Sequence, residues 1–395
     1  MRNRAALVGS AAWVGSRVLA QGLEFLAWVL LARGLGADSV GRLAVAAITA
    51  RLLGLVADWG AAFRGPRDVV QNGRDADIVV ALVRRREQVA AILAVAMALG
   101  TFAFGHMELA PIALVVLARG AGRDWIALGE GRRLAAAVPL LVQSTVLVAV
   151  VLATGSVSAA AIGLGVANLL GLVCGLVLNP VHARRPATSI VVDGWYLMAS
   201  ISDQILVSSD TVLLVVLQSA TEAGVYTSVY RLPLAWLTVV GLVTTAAIPL
   251  VSRAVADGRA DERSLHGRAD VVAVAGALFV LPAAILGLVL VGPLFGSDFE
   301  TGRDALLILF IATAATTASA PYRILYTSFA PDRPMAVVTA AAAAGNLLAN
   351  LVVIGPFGME GAAMTTLLSQ LGMLAFFVRW SMRQRTALPV APATV

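Results

Sequence analysis

The sequence predicts an all-α polytopic membrane protein, with twelve transmembrane helices in two six-helix lobes related by a pseudo-two-fold axis along the membrane normal. Three observations carry that prediction. Hydrophobic residues are 59% and charged residues 13% of the 395, with a mean hydropathy of +0.87, so a soluble globule would expose apolar surface that water cannot accommodate. Apolar runs of about 20 residues, the length that crosses a bilayer, recur from one end of the chain to the other. Finally, the sequence repeats itself at matching points of its two halves. A water-soluble enzyme is excluded.

Between charge and Gly/Pro punctuation the spans fall at 8–32, 41–63, 87–105, 109–130, 134–154, 158–178, 192–217, 224–249, 270–292, 304–329, 334–354 and 360–380. The first is not a cleavable signal, since it is long, carries Arg17 and Glu24, and ends at no small-residue cleavage site. All 29 basic residues are Arg, and their placement sets the orientation. Loops on one side hold 20, including Arg64 to Arg86, Arg132, Arg133, Arg184, Arg185 and Arg379 to Arg385, whereas the alternate loops hold only Arg33, Arg42 and Arg303. Both termini are therefore expected in the cytoplasm, in a multi-pass protein of the cytoplasmic (cell inner) membrane. No outward loop is large enough for a catalytic domain, which argues against an envelope polymerase or ligase. The single Cys174 and the scattered His106, His182 and His266 leave no disulfide framework or zinc spacing, so no metal is expected. With no Lys there is no phosphate-binding loop for an ATP-driven motor, and no nucleic-acid partner is expected.

The repeat is visible at a shift of 183 residues, which lays Gln21 on Gln204, Ala37 on Ala220, Gly41 on Gly224 and Pro66 on Pro249. A shift of 200 lays Arg123 on Arg323 and Arg133 on Arg333. Six spans separate the copies, an even number, so the copies share one orientation, as in parallel-repeat transporters with a cleft between lobes. The predicted domains are an N-lobe at 1–178, a cytoplasmic connector at 179–191 bearing His182, Arg184, Arg185 and Pro186, a C-lobe at 192–382, and a cytoplasmic tail at 383–395.

Charges within spans are expensive, about 2.5–3.5 kcal/mol each on insertion scales, and need partners or a wet cavity. Arg17, Gln21, Glu24 and Trp28 share one face of the first span, and Arg51 and Asp58 one face of the second. In an antiparallel hairpin residues at equal depth have a constant index sum, which pairs Arg17 with Asp58 and Glu24 with Arg51. The same arithmetic, carried over by the repeat, sets Asp210 against Arg231. These are either neutralised structural pairs or cleft cations that exchange a carboxylate for a substrate phosphate, which Arg binds bidentately; the two readings are compatible. Arg123 and Arg323, as symmetry mates, either face the cleft or reach for cytoplasmic headgroups. Asp203 has no evident cation at its depth, so it either binds a coupling H+ or Na+ or is solvated from the cytoplasm. Asn346 and Asn350 read as interhelical hydrogen-bonding residues, and the glycines of the sixth span as close-packing sites.

The stretches QGLEFLAWVLLARGLGADSVGRLAVAAITARLLGLVADWGAAFRGPRDV (Gln21 to Val69), SDTVLLVVLQSATEAGVYTSVYRLP with AIPLVSR (Ser209 to Arg253) and NLLANLVVIGPFGMEGAAMTTLLSQ (Asn346 to Gln370) resemble the polysaccharide-transporter branch of the multidrug/oligosaccharidyl-lipid/polysaccharide flippase superfamily. The resemblance implies twelve to fourteen helices in two bundles and export of an undecaprenyl-pyrophosphate-linked oligosaccharide by alternating access. Family members carry essential charges in the first, second, seventh and eighth helices, where Arg17, Glu24, Arg51, Asp210 and Arg231 stand here. Lipid II flippase relatives have two further helices, absent here, which favours an O-antigen-like or exopolysaccharide cargo. Expected substrate-binding residues are Arg17, Gln21, Glu24, Arg51, Arg123, Arg231 and Arg323, with Asp58, Asp203 and Asp210 for coupling or charge pairing. Expected partners are the lipid-linked oligosaccharide, membrane lipids and polysaccharide polymerases or glycosyltransferases. The competing readings are a cation-coupled multidrug exporter of the same superfamily, which calls for an acid-rich cleft, and a non-transporting component of a glycan-assembly complex. None of the three is an enzyme, and no cofactor is implied beyond H+ or Na+ coupling.

Overall fold

The computed structural model describes residues 2–153, 155–181, 194–256, 261–330 and 332–387. The connector residues His182, Arg184, Arg185 and Pro186 and most of the expected tail lie outside the described residues. Twelve α-helices and two 3-10 turns make up the described chain: α1 (Arg2–Asp58), α2 (Ala61–Asn72), α3 (Asp77–Ala103), a 3-10 turn (Met107–Ile112), α4 (Ala113–Ala121), α5 (Asp124–Gly129), α6 (Arg133–Leu152), α7 (Val157–Leu178), α8 (Gly194–Leu217), α9 (Ala220–Ala256), α10 (Glu262–Phe295), a second 3-10 turn (Ser297–Gly302), α11 (Arg303–Phe329) and α12 (Asp332–Ala387). No strand occurs among the described residues.

Eight helical stretches among them are long and apolar enough to cross a bilayer. Two of the eight, Trp13–Asp58 with 46 residues and Arg333–Thr386 with 54, are about twice the length one crossing needs. Each folds back on itself at a glycine with positive φ, Gly36 at 76° and Gly358 at 52°, a conformation that a Cβ disfavours. The doubling is visible in the contacts: Glu24 meets Arg51 across α1, and Asn346 donates to Ser369 at 3.2 Å across α12. Thus the predicted span 8–32 and residues 41–58 of the predicted span 41–63 lie on the arms of α1, the last five residues falling on the turn and on α2, and 334–354 and 360–380 lie on the arms of α12.

Three stretches depart from expectation, the first being α3, which begins at Asp77 rather than at residue 87 and so makes Arg84, Arg85 and Arg86 helical instead of loop residues. The expected loop from residue 64 opens instead with α2, set off by Trp59 at φ 54° and the left-handed Gly60. The expected span 109–130 is not one helix: it starts as a 3-10 turn through Pro111 and breaks at Gly122, which adopts an extended ψ of 143°. Apolar content alone does not distinguish a continuous helix from one interrupted by Pro and Gly, and here the interruption moves Arg123 to the start of a new short helix.

The halves repeat their element order. A long helix, a 3-10 turn and a further helix occur as α3 to α4 and again as α10 to α11. They meet along α1 and α9, where a Cβ on Gly41 would lie 1.9 Å from the Ala220 carbonyl oxygen and one on Gly224 would lie 1.8 Å from the Ala37 carbonyl oxygen. Ala37 and Ala220, like Gly41 and Gly224, are 183 residues apart, so the contact is reciprocal. Around this seam Phe25 packs edge-on against Phe295 at 6.4 Å, and Arg33 donates to the Pro293 carbonyl at 3.1 Å. The largest apolar core crosses it, joining Leu31, Leu43 and Ile112 to Val229, Phe295 and Leu306. Apolar side chains on the outer face of α10, such as Val271, Leu278, Phe279 and Ile285, are exposed, as expected of a surface that faces lipid.

Candidate functional site

The first arm of α1 supplies Glu24 and, one turn on, Trp28; the second arm supplies Arg51. Arg51 donates to Glu24 Oε1 at 2.5 Å, the pair that the index sum anticipates. Two more guanidinium groups act electrostatically on this carboxylate, Arg119 from α4 and Arg231 from α9. α4 comes close because it crosses α1 at Gly54, where a Cβ would sit 2.7 Å from Arg119 Cβ, and because Gly120 nests between Ala57 and Ala90. Arg231 reaches across the seam and sits over Trp28, its Cζ 3.8 Å from the ring centroid. Stacking of this kind holds a cation without a counter-ion.

Three guanidinium groups, from the second arm of α1, from α4 and from α9, thus act on Glu24, and Asp58 and Asp124 also act on Arg119. Neither Arg119 nor Arg231 forms an ion pair among the described residues. Arg119 is exposed, and Arg51 and Glu24 retain 35% and 17% of their side-chain exposure, so the cluster borders open space rather than dry packing. Arg119 was not among the expected site residues. The available signal was an Arg inside a span with no acid within a helical turn, the condition under which a cation needs either a distant partner or water.

The other charge pairs are rearranged. Asp58 is not paired with Arg17: it sits in the last turn of α1's second arm, where the buried Arg86 of α3 takes it, while donating also to the carbonyls of Gly122 at 2.9 Å and Arg119 at 3.4 Å. Arg17 instead lies 3.8 Å from Asp124, at the start of α5, and stacks on Trp13 at 5.1 Å. Arg123 does not mirror Arg323. It donates to Glu87 at 2.6 Å and to the Asn179 carbonyl at 3.5 Å, tying α3 and α7 together below the break at Gly122. Arg323 stands half-buried within an unbroken α11, and Gln21 is half-buried beside the cluster's face.

Asp210 is not set against Arg231 either. The turn between α8 and α9 is only Gln218 and Ser219, and it aligns Asp210 with Tyr226 and Thr211 with Thr227, five residues short of Arg231. Asp210 is 0% exposed. Its Oδ2 accepts from Tyr226 at 2.6 Å and Thr366 at 2.8 Å, and its Oδ1 from Asn350 at 3.1 Å and Ser209 at 3.3 Å. Asn346 accepts from Ser209 and Asn350, and Thr365 donates to Asn350, so both asparagines bond between helices as expected and also complete a cage of neutral donors. No cation pairs with Asp210 among the described residues. Asp203, two turns earlier, is exposed and likewise unpaired among them. No group of three or more metal-ligating side chains occurs among the described residues.

Solved structures of similar fold include a multidrug resistance MATE family transporter of the MOP superfamily in its inward-facing conformation, with a TM-score of 0.62 at 15% identity over 93% of this chain and 95% of that one. Lipid II flippase MurJ in an inward closed conformation gives 0.69 at 12% identity over 94% and 87%. MATE in complex with MaD5 gives 0.65 at 15% over 97% and 96%. At these identities the likeness is one of fold. No protein-family model and no curated protein matches the sequence.

Proposed function

We propose that the chain is a MOP-type flippase that carries an undecaprenyl-pyrophosphate-linked oligosaccharide across the cytoplasmic membrane by alternating access, with twelve spans in two six-helix lobes and both termini cytoplasmic. The observation that carries this reading is the excess of cations at Glu24. A pyrophosphate needs several charge-assisted donors at once, and planar guanidinium forks supply them in pairs. Arg119 and Arg231 offer such donors without first breaking an ion pair, while the Arg51–Glu24 contact keeps the unloaded site from being wholly cationic. The reciprocal contact of Gly41 and Gly224 supports two lobes that meet at one end and part at the other. The likeness in fold to solved transporters supports export, and the lipid tail would remain in the bilayer. Such a cycle makes no covalent bond; a polymerase or glycosyltransferase would act before or after it.

Asp210 is the coupling residue in this reading. A buried carboxylate enclosed by neutral donors, with no cation beside it among the described residues, is suited to take up a proton or a small ion during the cycle. That same cage is what favours the second reading, a cation-coupled multidrug exporter. Against it stands the net positive cluster, which repels the cationic compounds such an exporter would have to admit.

The test is translocation of a fluorescent polyprenyl-pyrophosphate oligosaccharide in proteoliposomes, followed by quenching from outside. Transfer by the native chain and its loss in an Arg119→Gln/Arg231→Gln double variant are expected. Full transfer in the double variant, or transport of a lipophilic cation in place of the glycan, would overturn the reading.

A further inference from the structure

A second feature lies far from the charge cluster. A cavity of about 390 Å³ opens where α11 ends and α12 begins and ends, lined by Tyr326, Phe329, Ala330, Pro334, Phe376, Trp380 and Gln384. Its volume falls in the range that holds a small ligand or a length of hydrocarbon. The aromatic rings are fixed rather than loose. Tyr326 packs on Phe376 at 5.8 Å and on Trp380 at 4.8 Å, over a buried floor of Leu325, Met373 and Phe377.

Its depth in the bilayer follows from helix geometry. Trp380 lies about 33 Å along the helix from the reversal at Gly358, and Pro334 and Tyr326 lie about 36 Å from Gly358 and Gly302, at 1.5 Å per residue. One hydrocarbon thickness is about 30 Å, so the cavity stands at the boundary between acyl chains and headgroups, where Trp and Tyr are favoured. Trp195, exposed near by on α8, is a further ring at this level, since Arg333 stacks on it at 4.8 Å.

Three arginines immediately precede three of the lining residues: Arg333 before Pro334, Arg379 before Trp380 and Arg383 before Gln384. All three are exposed, and none forms an ion pair among the described residues. Arg385, by contrast, is held by Asp270 through two bonds of 2.7 Å. An apolar, aromatic hollow at headgroup level, with three exposed arginines next in sequence to its lining residues and none of them ion-paired among the described residues, matches a molecule that has a hydrocarbon chain and a phosphate. From this match we propose that the cavity binds an anionic phospholipid of that leaflet, its acyl chain against Tyr326, Phe376 and Trp380 and its phosphate among Arg333, Arg379 and Arg383. Charge complementarity selects the lipid, because a zwitterionic headgroup would gain less than an anionic one from three exposed guanidinium groups at once. The site is independent of the cargo carried between the halves.

Native mass spectrometry of the full chain, released from mixed phosphatidylglycerol and phosphatidylcholine micelles, tests this directly. Retention of one phosphatidylglycerol is expected, with at least about a tenfold preference over phosphatidylcholine. Arg379→Gln/Arg383→Gln should abolish the preference, and Trp380→Ala should lower retention of both lipids. A thermal melt of each variant checks that it is folded, and an Arg268→Gln control should retain the preference. Equal retention of the two lipids, an unchanged preference in the Arg379→Gln/Arg383→Gln chain, equal stabilisation by glycerol phosphate alone, or a dimer that covers the cavity with no lipid bound would each overturn the proposal.

Discussion

The first hairpin of each half starts from related sequence and arrives at opposite electrostatics. In α1, Glu24 and Arg51 face each other across the fold at Gly36, border open space and collect two further cations. In α8 and α9, Asp210 is sealed from solvent and surrounded by hydroxyl and amide donors. The repeat preserves helices, glycines and the close approach of their backbones, but it does not preserve the chemistry at the centre. A shared scaffold has room for an ion-rich surface on one side and a single dry carboxylate on the other, which is what a carrier with separate cargo and coupling sites would need.

The sharpest way to break this contrast is to remove the enclosed acid. Asp210→Ala leaves Tyr226, Thr366 and Asn350 buried without their acceptor, so thermal melting in detergent should show a loss of about 3 kcal/mol or more, at about 1–3 kcal/mol for each orphaned donor. A loss below 1 kcal/mol would mean that the cage is wet. Next in size is the seam that both hairpins share. Gly41→Val places side-chain atoms where the Ala220 carbonyl lies, at an overpacking cost of about 1–3 kcal/mol to the closed seam. A cysteine at Ala37, in a Cys174→Ala background, should then react faster with a membrane-impermeant thiol reagent, and an unchanged rate would show that the seam yields elsewhere. Arg231→Gln forfeits a stacked cation worth about 1–2 kcal/mol and should lower affinity for pyrophosphate, read by calorimetry, more than it lowers the melting point. The smallest change is Arg17→Ala. Its partner is 3.8 Å away and both are a third or more exposed, so less than about 1 kcal/mol should be lost, shrinking further in high salt.

The membrane class, the apolar segments and the Glu24–Arg51 pair were legible in the sequence because each depends on local order: hydropathy over one span, or register across one fold. What was not legible depends on a third element. Asp58 is claimed by Arg86, distant in sequence and brought in by α3, which leaves Arg17 to find Asp124. The break at Gly122 removes Arg123 from its expected equivalence with Arg323. Register failed at Asp210 for a different reason: transferring the index sum from the first hairpin ignored the two-residue turn at Gln218 and Ser219, which shifts the facing residues by more than a helical turn. Arg119 belongs with these, since nothing near it in sequence indicates Glu24.

The glycine contact between α1 and α9 also bears on heat. Where two backbones touch with no side chain between them, separating them wets peptide groups and little hydrocarbon. Exposure of the two kinds changes heat capacity in opposite directions, and the apolar core that crosses the same seam contributes the other sign. Separation of α1 from α9 should therefore carry a smaller net heat-capacity change than parting an all-apolar interface of the same area, since the peptide and apolar contributions offset each other.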